Sequence, residues 1–142
     1  FAGEDPQMRE IGVLAMLRKD HNPFEPLLQY GVKAAQVQSW DMELIRDLKY
    51  AKTVKKQISD AGIRLAGFWG GYSGRIVWNS YGGPNTCGLV PRDLRAKRVD
   101  ELKYGADFAK AIGISGQYLG IVERGGSCLS VEKLKELLPN NI

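Results

Sequence analysis

The residues with the most chemistry to offer stand just after four short apolar runs. Arg18, Lys19 and His21 follow the first run, Gln38 and Trp40 the second, Trp69, Tyr72, Trp78 and Asn79 the third, and Glu123 and Arg124 the fourth. Aromatic faces stack on C–H surfaces, while amides and charges hydrogen-bond hydroxyls. The set Trp40, Trp69, Trp78 and Asn79 therefore reads as a binding wall for a polyol or sugar. Large aromatics also plug strand ends, and for Trp40 and Trp69 the two readings balance. Trp78 and Asn79 lie in a glycine-rich stretch with little core to fill, which favours binding. Glu123 is a candidate general base only if burial raises its pKa, and a salt bridge to Arg124 or a nearby Lys is its more ordinary role. His21 is the single histidine, so a multi-histidine metal centre is excluded. It is a catalytic candidate, with a solvated loop or a pairing with Asp20 as the more ordinary reading.

The elements that must hold these groups repeat. Ile11 to Met16, Ala34 to Ser39, Arg64 to Trp69 and Gln117 to Val122 read as short strands, each followed by helical periodicity. The first is almost continuously apolar, as expected of a parallel strand covered on both faces. Asn22 and Pro23 open a short helix that Gly31 ends. Asp41 caps a long helix whose apolar face runs Leu44, Ile45, Leu48, Ala51, Val54 and Ile58. Pro91 and Asp93 open another, with Leu94, Leu102, Ala106, Ala109 and Ile112 on its apolar face and Gly113 at its end. Its basic run, Arg92, Arg95, Lys97 and Arg98, is broken by Asp93 and Asp100 and reads as a solvated face. Between Gly70 and Val90 lies a long glycine-rich loop, a length that marks function more often than idle connection.

Composition narrows the classes. The 142 residues are 44% hydrophobic and carry a net charge of +4, which suits one globular domain with a mildly basic surface. No nucleic-acid stripe is present. Two cysteines, Cys87 and Cys128, stand far apart with no Cys-x-x-Cys, so neither a disulfide framework nor structural zinc is indicated. Both are expected to be reduced thiols in a cytoplasmic protein, although a chain that opens on Phe1 is also compatible with a removed export signal. No apolar run approaches the roughly 18 residues that span a bilayer. Parallel strands with helical crossovers give an open doubly wound sheet or a closed barrel, and the pattern alone does not choose. Leu17 to His21 after the first strand lacks the glycine pattern of a dinucleotide site.

A resemblance does choose. Gly31 to Trp40, Gly62 to Gly71 with its Gly-Phe-Trp-Gly-Gly, and the loop from Val77-Trp78-Asn79 through Gly83-Pro84-Asn85-Thr86-Cys87-Gly88-Leu89-Val90-Pro91 resemble the amino-terminal half of the sugar phosphate isomerase/epimerase family. That family has the xylose-isomerase-like TIM barrel. The resemblance covers about residues 11–114 and weakens after Ile114. It implies an α/β fold class, a parallel (βα)4 half of a TIM barrel over residues 1–142, with oligomerisation expected to complete the barrel. It implies proton transfer next to the carbonyl of a ketose or sugar phosphate, assisted by a divalent metal, Mn2+ or Mg2+. The family's metal ligands are two Glu, one Asp and one His on later strands, and none transfers to this chain. The chain alone is therefore expected to bind no metal and to show little activity. Trp40, Trp69, Trp78 and Asn79 transfer as substrate-pocket residues. The expected partners are a small-molecule sugar and a second copy of the chain, with no nucleic acid and no membrane. The alternative is a non-catalytic carbohydrate-binding or protein-interaction module on the same fold.

Overall fold

A computed structural model describes residues 11–114. Three strands, β1 (Gly12–Met16), β2 (Ala34–Ser39) and β3 (Arg64–Gly70), form a parallel sheet in the order β1-β2-β3. The fourth expected strand, Gln117 to Val122, lies outside the described residues, as do Cys128 and the candidate Glu123. Between β1 and β2 the chain makes a 3-10 turn over Glu25–Tyr30, which Gly31 ends as expected. Its N-cap is Phe24 rather than the expected Asn22, whose side chain accepts from Phe24 N.

Alternation along the strands separates two faces. The cross-strand row Ala15, Val37 and Phe68 is buried, at 6%, 0% and 0% exposure, and faces the helices. The next row, Met16, Gln38 and Trp69, falls on the opposite, partly open face. A register shift between Ala35 and Gln36 leaves Ala66 as an extra residue in β3, and this bulge brings Phe68 and Trp69 onto their faces. On the open face Leu14 is 50% exposed, so β1 is not covered on both sides as its apolar run suggests.

The crossover from β2 to β3 is two helices rather than the expected one: α1 (Met42–Arg46) and α2 (Leu48–Asp60). Asp41 caps α1 as expected, accepting from Glu43 N and Leu44 N. Asp47 then adopts an extended conformation and caps α2 by accepting from Lys49 N and Tyr50 N. A second aspartate able to satisfy the orphan amides of a new helix start makes the break inexpensive. The break also shifts the apolar phase, which turns Leu48 outward at 51% exposure. A one-turn helix, α3 (Gly83–Thr86), lies inside the long loop, and α4 (Arg92–Ile112) follows it, ending at Gly113 as expected.

The core lies between the sheet and the helices. Ala15, Val37, Ile45, Val54, Ile58, Phe68, Phe108 and Ile112 belong to it, and the rings of Phe68 and Phe108 meet at 5.1 Å. Ala106, expected on the apolar face of α4, is exposed. That helix instead buries Arg98, Val99, Glu101, Gly105, Phe108, Ala109 and Ile112. No helix among the described residues is long and apolar enough to cross a membrane.

Candidate functional site

The carboxyl ends of β2 and β3 bring the three tryptophans together. Trp40 directly follows β2, on the same face as Gln38 by strand alternation, and Trp69 is the next-to-last residue of β3. The two rings meet edge to face at 6.0 Å and 67°. Trp78, from the long loop, meets Trp40 at 6.0 Å and 84°, and Tyr72 meets it at 5.4 Å and 70°. Trp40 is thus the hub of an aromatic quartet, and each contact of this geometry adds about 0.5–1.5 kcal/mol beyond burial. Trp78 remains 51% exposed, so part of the cluster faces solvent.

Close approach of backbone to ring makes this possible at Gly71. A Cβ there would lie 2.5 Å from Trp40 Cε3 and 2.8 Å from Trp40 Cα, distances that no side chain tolerates. Gly71 N also donates to Ser39 O, which prolongs the β2–β3 pairing past the last strand residue and holds Trp40 beside the β3 end.

Asn79 is engaged locally. Its Oδ1 accepts from Tyr81 N and Gly82 N at 3.0 and 2.7 Å and forms the turn that leads into α3. His21 is exposed in the loop after β1 and takes no part in the quartet's ring contacts. The backbone of that loop is tied down by Tyr50, whose hydroxyl donates to Arg18 O. Cys87 is a buried free thiol whose Sγ donates to Val77 O, which fits the expected inert role. Among the described residues no group of three His, Cys, Asp or Glu side chains is placed to hold a metal ion.

Within the expected solvated run of α4, Arg92 and Lys97 are exposed as read, while Arg95 and above all Arg98 are the largest departure from the sequence reading. Arg98 is fully buried and donates to the carbonyls of Ser73, Arg75, Thr86 and Gly88. Arg95 donates to Leu89 O and Val90 O, and Glu101, 2% exposed, accepts from Ser73 N. A glycine-rich loop has few side chains with which to build its own core. Its backbone groups are satisfied instead by long polar side chains from the next helix. The signal was present as a three-residue spacing, Arg95, Arg98, Glu101, which lines one helix face toward the loop. Tyr72, 5% exposed, completes the arrangement: its ring lies 4.5 Å from the Arg98 guanidinium and its oxygen accepts from Gly88 N. Burial raises the Tyr72 phenol above its ordinary 10.0, while the Gly88 hydrogen bond and Arg98 pull the other way. The phenol is neutral at physiological pH.

Together these groups offer partly exposed π surface, backed by the buried Tyr72, at the carboxyl ends of parallel strands, where ligands of such folds bind. A crystal structure titled a xylose isomerase domain protein, from Planctomyces limnophilus, is similar to this chain with a TM-score of 0.68 and 27% sequence identity over 91% of its length. The similarity covers 45% of that other chain, so this chain spans less than half of its neighbour's length. No protein-family profile matches the chain. No curated protein matches it either. The three described strands and their helices therefore form an α/β fold of the xylose-isomerase-like TIM-barrel kind, corresponding in extent to about half of such a barrel.

Proposed function

We propose that this protein is sugar isomerase/epimerase-like, and that Trp40, Trp69 and Trp78, backed by Tyr72, form the wall that receives a ketose or sugar phosphate. The observation that carries the reading is the convergence of all three tryptophans of the chain at one end of the sheet. The similarity to a xylose isomerase domain protein supports it. Proton transfer beside a carbonyl needs a positioned base and stabilisation of the developing enediolate. The described residues hold and orient the sugar. For the acid and base the sequence offers two candidates, His21 in the loop after β1 and Glu123 outside the described residues. The described residues offer no cluster of His, Cys, Asp or Glu side chains that fits a divalent cation.

Titration of the 142-residue chain with a panel of ketoses and sugar phosphates, followed by tryptophan fluorescence, tests the reading. Saturable quenching is expected, and Trp40→Ala weakens it roughly tenfold, the loss of one good stacking contact. Absence of saturable quenching by every sugar in a folded sample would sink the proposal. Exchange of the proton beside the carbonyl in D2O, with Mn2+ or Mg2+ added, separates an isomerase from a non-catalytic carbohydrate-binding module. Slow exchange is expected for this chain, and saturable binding without any exchange would favour the module.

A further inference from the structure

The long loop that carries Trp78 buries few apolar side chains of its own, Tyr72, Cys87 and Leu89 among them, and its backbone is fixed at both ends by one side chain. Arg98 reaches from α4 to Ser73 O and Arg75 O on the ascending limb, at 3.0 and 3.2 Å. It reaches Thr86 O and Gly88 O on the descending limb at 2.8 and 2.6 Å. Four of its five N–H donors are used on main-chain carbonyls, an arrangement that only a planar guanidinium can make. Gly74 permits the approach: its φ is +95°, and a Cβ there would meet Leu94 Cδ1 at 2.8 Å and Arg98 Nη2 at 3.2 Å. Glu101, one turn further along α4, holds Ser73 N at 2.8 Å, so the donor and the acceptor of Ser73's backbone are both held from the same helix.

From this arrangement we infer that Arg98, with Glu101, is a positioning residue for the sugar-facing wall, and the inference rests on the reading of that wall given above. The path is short. Arg98 stacks on Tyr72 at 4.5 Å, Tyr72 accepts from Gly88 N and packs on Trp40 at 5.4 Å, and Trp78 rides on the loop segment whose two limbs Arg98 joins. A change at Arg98 therefore moves two of the three partners of the hub ring without touching a ligand. Selectivity for the sugar is set partly from the far side of the loop.

The test compares the native chain with Arg98→Lys and with Tyr72→Phe, using near-UV circular dichroism of the tryptophans, sugar affinity and far-UV circular dichroism together. Lysine keeps the charge but cannot bridge both limbs. Arg98→Lys is expected to keep the far-UV spectrum, lose most of the tryptophan near-UV signal and bind sugar at least about tenfold more weakly, while Tyr72→Phe shows a smaller loss of the same kind. A folded Arg98→Lys chain with native near-UV signal and affinity within about twofold of native overturns the inference. Amide hydrogen exchange on the unmutated chain keeps the question open to refutation if the variant fails to fold: Ser73 and Gly88 amides are expected to be as protected as those of α4, and fast exchange there overturns it. If the native chain binds no sugar, the functional reading fails, whereas the near-UV and exchange results still decide whether Arg98 sets the aromatic wall.

Discussion

At the scale of single residues, Tyr50 and Tyr72 make the molecule's stability sensitive to alkali. Burial raises both phenols above 10.0; Asp41 and Asp20 add to the effect at Tyr50. Above pH 10.0 the unfolded chain has released these protons while the folded chain still holds them, so the unfolded state is favoured. Stability is thus fully present below about pH 10 and falls as pH rises through the folded pKa values. Urea denaturation midpoints measured between about pH 8 and 11 are expected to fall more steeply for the native chain than for Tyr72→Phe. Parallel slopes would remove Tyr72 from the account. The same buried phenol that shapes the wall through Gly88 is here read out by thermodynamics alone.

Among the elements, the break between α1 and α2 shows how one side chain decides a boundary. Asp47 satisfies the amides of Lys49 and Tyr50 at 2.8 and 3.1 Å, and α2 begins because those bonds exist. Asp47→Ala is expected to lower stability by about 1 kcal/mol, the usual cost of losing such a cap, while Asp47→Asn or Asp47→Ser costs less. Chemical denaturation measures it. A loss below about 0.3 kcal/mol would mean that packing of Ala51, Val54 and Ile58 fixes the helix start without the cap. The α4 helix shows a second principle at this scale: Arg95, Arg98 and Glu101 act as the interior of the loop beside it.

For the whole molecule, the open face of the sheet is what matters. Leu14 is half exposed on that face, Ile11 is 87% exposed at the start of β1, and the row Met16, Gln38 and Trp69 lies on the side away from the core. Parallel sheets are ordinarily covered on both faces, and an exposed edge invites pairing. A half-barrel reading therefore predicts that the 142-residue chain associates with a second copy. Sedimentation velocity at micromolar concentration is expected to show a dimer or larger species, dissociated by Leu14→Glu. A native chain that sediments as a monomer would remove self-association as the route to covering this face.

The alternation of apolar runs with helical periodicity determined the strands, because period-2 and period-3.6 patterns are local: β2 falls at Ala34–Ser39 as read, and β1 and β3 shift by one residue at one end. Residue type and position after a strand sufficed to nominate Trp40, Trp69 and Trp78, since strand ends of parallel sheets converge. Only the tertiary structure decided that these three rings touch, that Asn79 builds a turn, and that Arg98 lies inside rather than outside. A charged residue's burial depends on which backbone carbonyls come to meet it, and those belong to segments distant in the chain. The three-residue spacing of Arg95, Arg98 and Glu101 within α4 marks a shared face, but not the carbonyls that come to meet it.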